Sequence, residues 1–228
     1  MAENKINKSI TKKAIKPFII EELLSTGREG MEELVAYLEK YDYFEAPSSM
    51  RHHSNFKGGL ALHSYYVRTL LEEKNERFNL GLKKEECIIA GYLHDLCKVN
   101  LYELGYKLRK ESGEWVARKE YTYNEAAPLG HGEKSVIIAQ RFIKLTDNEL
   151  LMILYHMGLS LPKEKMQDFD AAKNKCKAVT AIATADMEAA GLLEEEVEGE
   201  IVTKDVYNNY IDRKRELGDF NYGGLRLE

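Results

Sequence analysis

An unbroken apolar run, Ile88-Ile89-Ala90-Gly91-Tyr92-Leu93, leads the chain straight into His94-Asp95. A helix built on such a run has no polar face and has to be covered on most sides. The imidazole and carboxylate at its end are therefore carried inside. A buried carboxylate is stable only with a cation or strong donors beside it. A metal ion is the simplest such partner, so further ligands should be legible elsewhere in the chain.

The chain has only six histidines, and four of them fall at the ends or inner faces of separate predicted helices. Leu60, Val67, Leu70 and Leu71 share one face of a helix expected from Leu60 to about Arg77, and His63 lies on that face. The helix that ends in His94-Asp95 is expected over about Lys83 to Leu96, with Gly81 between the two. Pro128-Leu129-Gly130-His131-Gly132 opens another helix, with Val136, Ile137, Phe142 and Ile143 apolar. Thr146 and Glu149 have the spacing of a capping box and start the next one. That helix carries Ile153, Leu154 and His156, and Gly158 ends it. A loop over 159–169 and a long helix from Asp170 to Ala190 follow. Val179, Ile182, Ala183 and Asp186 keep helical spacing there, so Asp186 interrupts an apolar stripe.

A lone inward histidine is more often a hydrogen-bonded core residue than a ligand. The ordered set carries more weight, because histidines and carboxylates on several helices can converge on one site in a bundle. Imidazole with carboxylate suits Mn, Fe, Co, Ni or Zn without choosing among them.

Around these helices the chain is more ordinary. Short helices are expected over Pro17 to Leu24 and Gly30 to Glu39. Tyr41 to Gly59, with His52-His53, reads as an ordered loop. Tyr102 to Tyr123 reads as two short strands about Ser112-Gly113, a β-hairpin that has to pack on the body. An acidic run, Glu194 to Glu200, precedes a last peripheral helix over Val206 to Arg215. Met1 to Lys16 is expected to be a polar, basic, loosely held start, and the tail from Gly218 is glycine-rich and expected to be flexible or lightly docked.

With 228 residues, 44% of them hydrophobic, one domain with a full core is expected. A net charge of −5 weighs against a dedicated nucleic-acid binder, which would carry basic excess. Cys87, Cys97 and Cys176 form no close-spaced pair, as expected of reduced thiols in a cytoplasmic protein. No apolar run is long enough for a membrane span, and no signal peptide is recognisable.

The ordered pattern H…HD…H…H…D resembles the HD-domain metal-dependent phosphohydrolase superfamily. Gly58-Gly59-Leu60-Ala61-Leu62-His63-Ser64 matches its opening histidine motif, and Gly91-Tyr92-Leu93-His94-Asp95-Leu96-Cys97-Lys98 matches its signature pair with the trailing lysine. The resemblance spans roughly residues 50 to 190. It implies a mainly α fold, an HD-domain helical bundle with the hairpin at about 102–123 inserted. The bundle would be residues 51–191, with an N-terminal helical extension over 1–50 and a peripheral helix and tail over 192–228. It also implies that His63, His94, Asp95 and Asp186 bind a first metal. His131 and His156 match the added histidines of two-metal members, with Asp95 bridging. The implied cofactors are two divalent ions drawn from Mn, Fe, Co, Ni, Mg or Zn. Cys97 departs from the pattern, where many members have glycine or another small residue, and is expected to be a core thiol rather than a ligand.

The implied reaction is hydrolysis of a phosphoester by a hydroxide that bridges the two ions. Asp95 and Lys98 are the candidate catalytic residues, Lys98 offsetting charge on the phosphoryl oxygens. Lys134, with Ser135 at a helix start, could hold a phosphate, and Arg51 and His53 could meet an anionic substrate at the entrance. Tyr121 and Tyr123 could stack on a base, although cross-strand packing is the commoner use of hairpin tyrosines. The expected substrate is a nucleotide or another small phosphorylated metabolite. Two alternatives stay open: a 3′-to-5′ exoribonuclease-like HD nuclease, whose double-glycine first motif is similar, and a non-catalytic nucleotide-binding HD regulator. The sequence says nothing of oligomeric state.

Overall fold

Residues 12–124 and 128–217 are described by the structure, a computed structural model. Met1 to Thr11 of the polar start and the tail from Gly218 lie outside the described residues. The elements run α1 (Lys12–Ser25), α2 (Met31–Lys40), α3 (Gly59–Phe78), α4 (Lys84–Leu93), β1 (Tyr102–Glu111), β2 (Glu114–Tyr123), α5 (His131–Ala139), α6 (Asp147–Tyr155), α7 (Met166–Lys175), α8 (Ala178–Glu188), β3 (Glu200–Val202) and α9 (Lys204–Glu216). The protein is mainly α with an inserted β-hairpin, as the sequence pattern implies.

The apolar run becomes α4, in which every residue from Glu86 to Leu93 is buried. Leu60, Val67 and Leu71 of α3, Ile89 and Leu93 of α4, and Val179 and Ile182 of α8 are fully covered and share one core. Ile15, Ile19 and Leu23 of α1 join it. Helix α4 lies against α3 on one side and α6 on another, and α8 covers α3 and α6.

Two glycines let the site-bearing helices approach closely. A Cβ at Gly91 of α4 would overlap the backbone of Arg68 in α3, and a Cβ at Gly132 of α5 would overlap the backbone of Leu154 in α6. Thr146 caps α6 as expected: its hydroxyl accepts from the Glu149 amide, and Glu149 accepts from the Thr146 amide at 2.7 Å. Arg28 then pairs in two-pronged fashion with the same fully buried Glu149, at 2.9 and 3.0 Å.

The hairpin pairs Tyr102 with Tyr123 through to Glu111 with Glu114. Its turn residues Ser112 and Gly113 both have positive φ, 49° and 93°, the backbone that matches the twist of the flanking strands. The end of the acidic run opens what the sequence reading lacked, a third strand: β3 pairs with β2, Ala117 opposite Val202. Helix α9 covers this small sheet through Tyr207 and Ile211. Among the described residues, no helix is long and apolar enough to cross a membrane.

Four element boundaries differ from expectation. Helix α1 begins at Lys12 and carries Pro17 inside it, because Ile15 as well as Ile19 and Leu23 reaches the core. The helix expected to run to Leu96 stops at Leu93, and a single 3-10 turn, Leu96–Lys98, follows. The long helix expected from Asp170 to Ala190 is two helices. Cys176 is extended, with φ −135° and ψ 102°, and its burial turns the chain inward between them. Part of the expected 159–169 loop is the start of α7.

Gly91→Ala should lower stability by about 2–3 kcal/mol, as overpacking a close helix contact does. Urea unfolding measures it, and a wild-type midpoint would show that α3 and α4 do not meet at this point.

Candidate metal centre

Six side chains from five helices and their ends gather around the buried Asp95. His63 projects from the second turn of α3. His94 and His156 are the residues that close α4 and α6. His131 is the first residue of α5, and Asp186 lies near the end of α8. Asp95 follows His94 where the helix has ended, with φ −105° and ψ 23°. His63, His94, Asp95 and His156 are almost wholly buried, at 0%, 0%, 2% and 1% exposure.

Helix ends leave carbonyls without partners, and two histidines use them. Nδ1 of His94 donates to the Gly91 carbonyl at 2.8 Å, and Nδ1 of His156 donates to the Ile153 carbonyl at 2.7 Å. A carbonyl only accepts, so the proton of each neutral ring is on Nδ1 and the lone pair of Nε2 faces inward. His63 is held in the same sense by a carboxylate, with Nδ1 2.6 Å from Oε1 of Glu194.

The inward atoms lie at ligand-to-ligand spacings. His63 Nε2 is 3.1 Å from His94 Nε2 and 3.1 Å from Asp186 Oδ1. Asp95 Oδ2 is 3.5 Å from both of those ring nitrogens, and Asp95 Oδ1 is 3.5 Å from His156 Nε2. Donors about 2.0–2.2 Å from one tetrahedral ion would be about 3.3–3.6 Å apart. His156 Nε2 is buried without a hydrogen-bond partner. In the neutral ring it turns a lone pair toward a carboxylate, an arrangement that a cation stabilises. Charge points the same way: Asp95, Asp186 and Glu194 bring three carboxylates to the centre, with Lys98 against Asp95 and His63 between the other two. The donor set thus fits a divalent ion, and His63, His94 and Asp95 could hold one.

The protonation states follow from the same contacts. Burial would raise the Asp95 carboxyl, but Lys98, 2.6 Å away, and the flanking imidazoles hold it well below the usual range. Burial likewise works against ionised Asp186, and His63 outweighs it and lowers the carboxyl. For His63, burial opposes the charge while Glu194 and Asp186 favour it more strongly, and the imidazole is pushed up to about 10. Burial lowers His94. His156 is raised, burial being outweighed by Asp95.

The centre forms the floor of a cavity of about 520 Å³. Met157, Leu159, Phe169 and Met187 make much of its wall, and Lys98, His53 and Lys173 supply polar groups. The His53 ring stands 5.3 Å from that of His63. The expected site residues divide here. His53, Asp95, Lys98, His131 and Asp186 line this cavity, with His63, His94 and His156 beneath it. Arg51 instead lines a separate groove with Arg109, Glu120 and Glu198, while Lys134 lies on α5 outside the lining of either.

Two side chains had no place in the expected set. Glu194 follows a single π-helical turn, Ala189–Leu193, and its side chain is fully buried. It opens an acidic run, where a carboxylate is ordinarily solvated, so nothing in the residue pattern singled it out. Cys97 Sγ lies 3.5 Å from His131 Nδ1 and 3.9 Å from Asp95 Oδ1. Burial pushes its thiol up to about 12.

No protein-family model matches the chain, and neither does any curated protein or solved structure with which it was compared.

Metal affinity should rise with pH. His63, raised from 6.5 to about 10, holds a proton in the metal-free centre. That proton stabilises the metal-free fold fully below 6.5 and ceases to do so as pH passes 10. Binding has to displace it, so affinity should improve at least about tenfold per pH unit between about pH 7 and 8.5. Calorimetric titration of chelator-stripped protein with Mn²⁺ reads this, and a flat profile would remove the proton from His63.

Proposed function

We propose that the chain is a metal-dependent phosphohydrolase of the HD kind, acting on a small phosphorylated substrate, in the first place a nucleotide. The observation that carries the reading is the division of Asp95. Its Oδ2 faces His63 and His94, with Asp186 beside them, and its Oδ1 faces His156. A carboxylate with a separate donor set at each oxygen is suited to join two cation positions. His63, His94, Asp95 and Asp186 would hold one ion, and Asp95, His156 and His131 the other.

Bound divalent ions supply an acidified water and neutralise charge on a phosphoryl group. The protein's own residues supply the rest. Lys98 is buried against Asp95 at the cavity floor, where its ammonium can offset charge that builds on phosphoryl oxygens during in-line attack by water. His53 and Lys173 offer further donors to an anionic group. Phe169, Met157 and Met187 offer an apolar wall to the body that carries the phosphate. The cavity has the volume of a small-molecule site, which favours a mononucleotide or similar metabolite over a nucleic-acid strand.

The test is product analysis with nucleoside monophosphates and triphosphates, cyclic nucleotides and short RNA, each with Mn²⁺, Co²⁺, Ni²⁺, Mg²⁺ or Zn²⁺. Metal-dependent hydrolysis of a nucleotide is expected, with Asp95→Ala reduced to background and Lys98→Ala slowed by about 10²-fold. Metal-loaded protein that hydrolyses none of them would sink the assignment.

A further inference from the structure

The second cation position is short of donors if it is built from Asp95, His156 and His131 alone, and the structure offers one more. Cys97 lies in the 3-10 turn directly after His94-Asp95 and is 2% exposed. Its amide donates to the buried Ser135 hydroxyl at 3.0 Å, which ties the turn to α5. That tie sets Sγ 3.5 Å from His131 Nδ1 and 3.9 Å from Asp95 Oδ1, so that Asp95, Cys97 and His131 form one cluster of possible ligands. The unpartnered, buried Nε2 of His156 reaches the same Asp95 oxygen at 3.5 Å. Donors about 2.0–2.3 Å from a tetrahedral ion stand about 3.3–3.8 Å apart, and these three separations sit on or just beyond that range. The thiol has one proton and lies near both His131 Nδ1 and Asp95 Oδ1, so that proton joins it to at most one of them. A shared cation serves Asp95, Cys97 and His131 together, and Asp95 Oδ1 carries the link on to His156 Nε2.

We infer that Cys97 is a sulfur ligand of the second cation position, together with Asp95, His131 and His156. The inference rests on the two-ion reading above and deepens it by naming the class of ion. Ligation replaces the S–H bond with a sulfur–metal bond and releases the proton to solvent, with no change of oxidation state. A thiolate among imidazole and carboxylate ligands selects a borderline, thiophilic ion such as Zn²⁺, Fe²⁺, Co²⁺ or Ni²⁺ over Mg²⁺ or Ca²⁺. The two positions then differ in kind: nitrogen and oxygen donors at one, and an added sulfur at the other.

The experiment is anaerobic loading of the chelator-stripped full chain with Co²⁺, read by absorption spectroscopy and elemental analysis. The wild-type protein should show a near-ultraviolet sulfur-to-cobalt charge-transfer band beside the weaker visible cobalt bands. Cys97→Ser should lose that band and fall from about two cobalt ions per chain to about one. Cys176→Ser, with its thiol elsewhere in the core, should keep both. Circular dichroism verifies folding of the variants, and Cys97→Ala replaces the serine variant if that unfolds. Two bound cobalt ions without the charge-transfer band, or a band that survives in folded Cys97→Ser, would overturn the sulfur ligand and leave the two-ion reading standing. A wild-type chain that binds one cobalt ion without the band, or none at all, would overturn both.

Discussion

The fold is arranged around the burial of Asp95. A carboxylate 2% exposed can remain ionised only where positive charge and donors surround it from several directions. Here those directions are occupied by different elements: His63 from α3, His94 and Lys98 from either side of the end of α4, and His156 from the end of α6. None of these partners can be supplied by a single helix, since residues that face one point from one helix are limited to neighbouring turns. The short helices α4, α5 and α6, each ending or beginning at the centre, are the consequence.

Helix termini suit this task for a physical reason. The last turn of a helix has carbonyls with no amide to meet. An imidazole closing the helix can cap the carbonyl three residues back through Nδ1, as His94 does with Gly91 and His156 does with Ile153. The cap fixes the ring, selects its tautomer and turns the basic nitrogen outward along the helix, so one contact serves helix stability and ligand orientation together. The close approaches at Gly91 and Gly132 then bring the capped ends within reach of each other.

This logic explains what was legible in the sequence. Rare histidines at helix ends and on inner helix faces, His63, His94, His131 and His156, could be read as a set, and Asp186 stood out within its stripe. The Ser112-Gly113 turn between alternating strands was equally plain. The break at Cys176 was not, because the residues on both sides of it keep a helical pattern and a single extended, buried residue separates α7 from α8. Strand β3 is three residues long, too short for alternation to register. Glu194 was hidden for the opposite reason: its neighbours are carboxylates too, and only the partner 131 positions away in the chain distinguishes it from them.

The position of Glu194 gives the small sheet a structural role in the site. The segment that leaves α8 is pinned beside the loop before α3, where the Ser54 amide donates to the Glu195 carbonyl at 2.8 Å and Asn55 bonds both the amide and the carbonyl of Val197 at 2.7 Å. It then enters β3, which is zipped to β2 and covered by α9. Glu194 is thus held between a helix end and an anchored strand, and a carboxylate held at both ends loses little entropy when it orients His63. A two-stranded hairpin alone gains little stability from its own pairing. With β3 and α9 added, it becomes a fixed support for the segment that aims the first histidine of the centre. The hairpin insertion, which lies between Asp95 and His131 in the chain, and the metal-ligand candidates are parts of one mechanical arrangement.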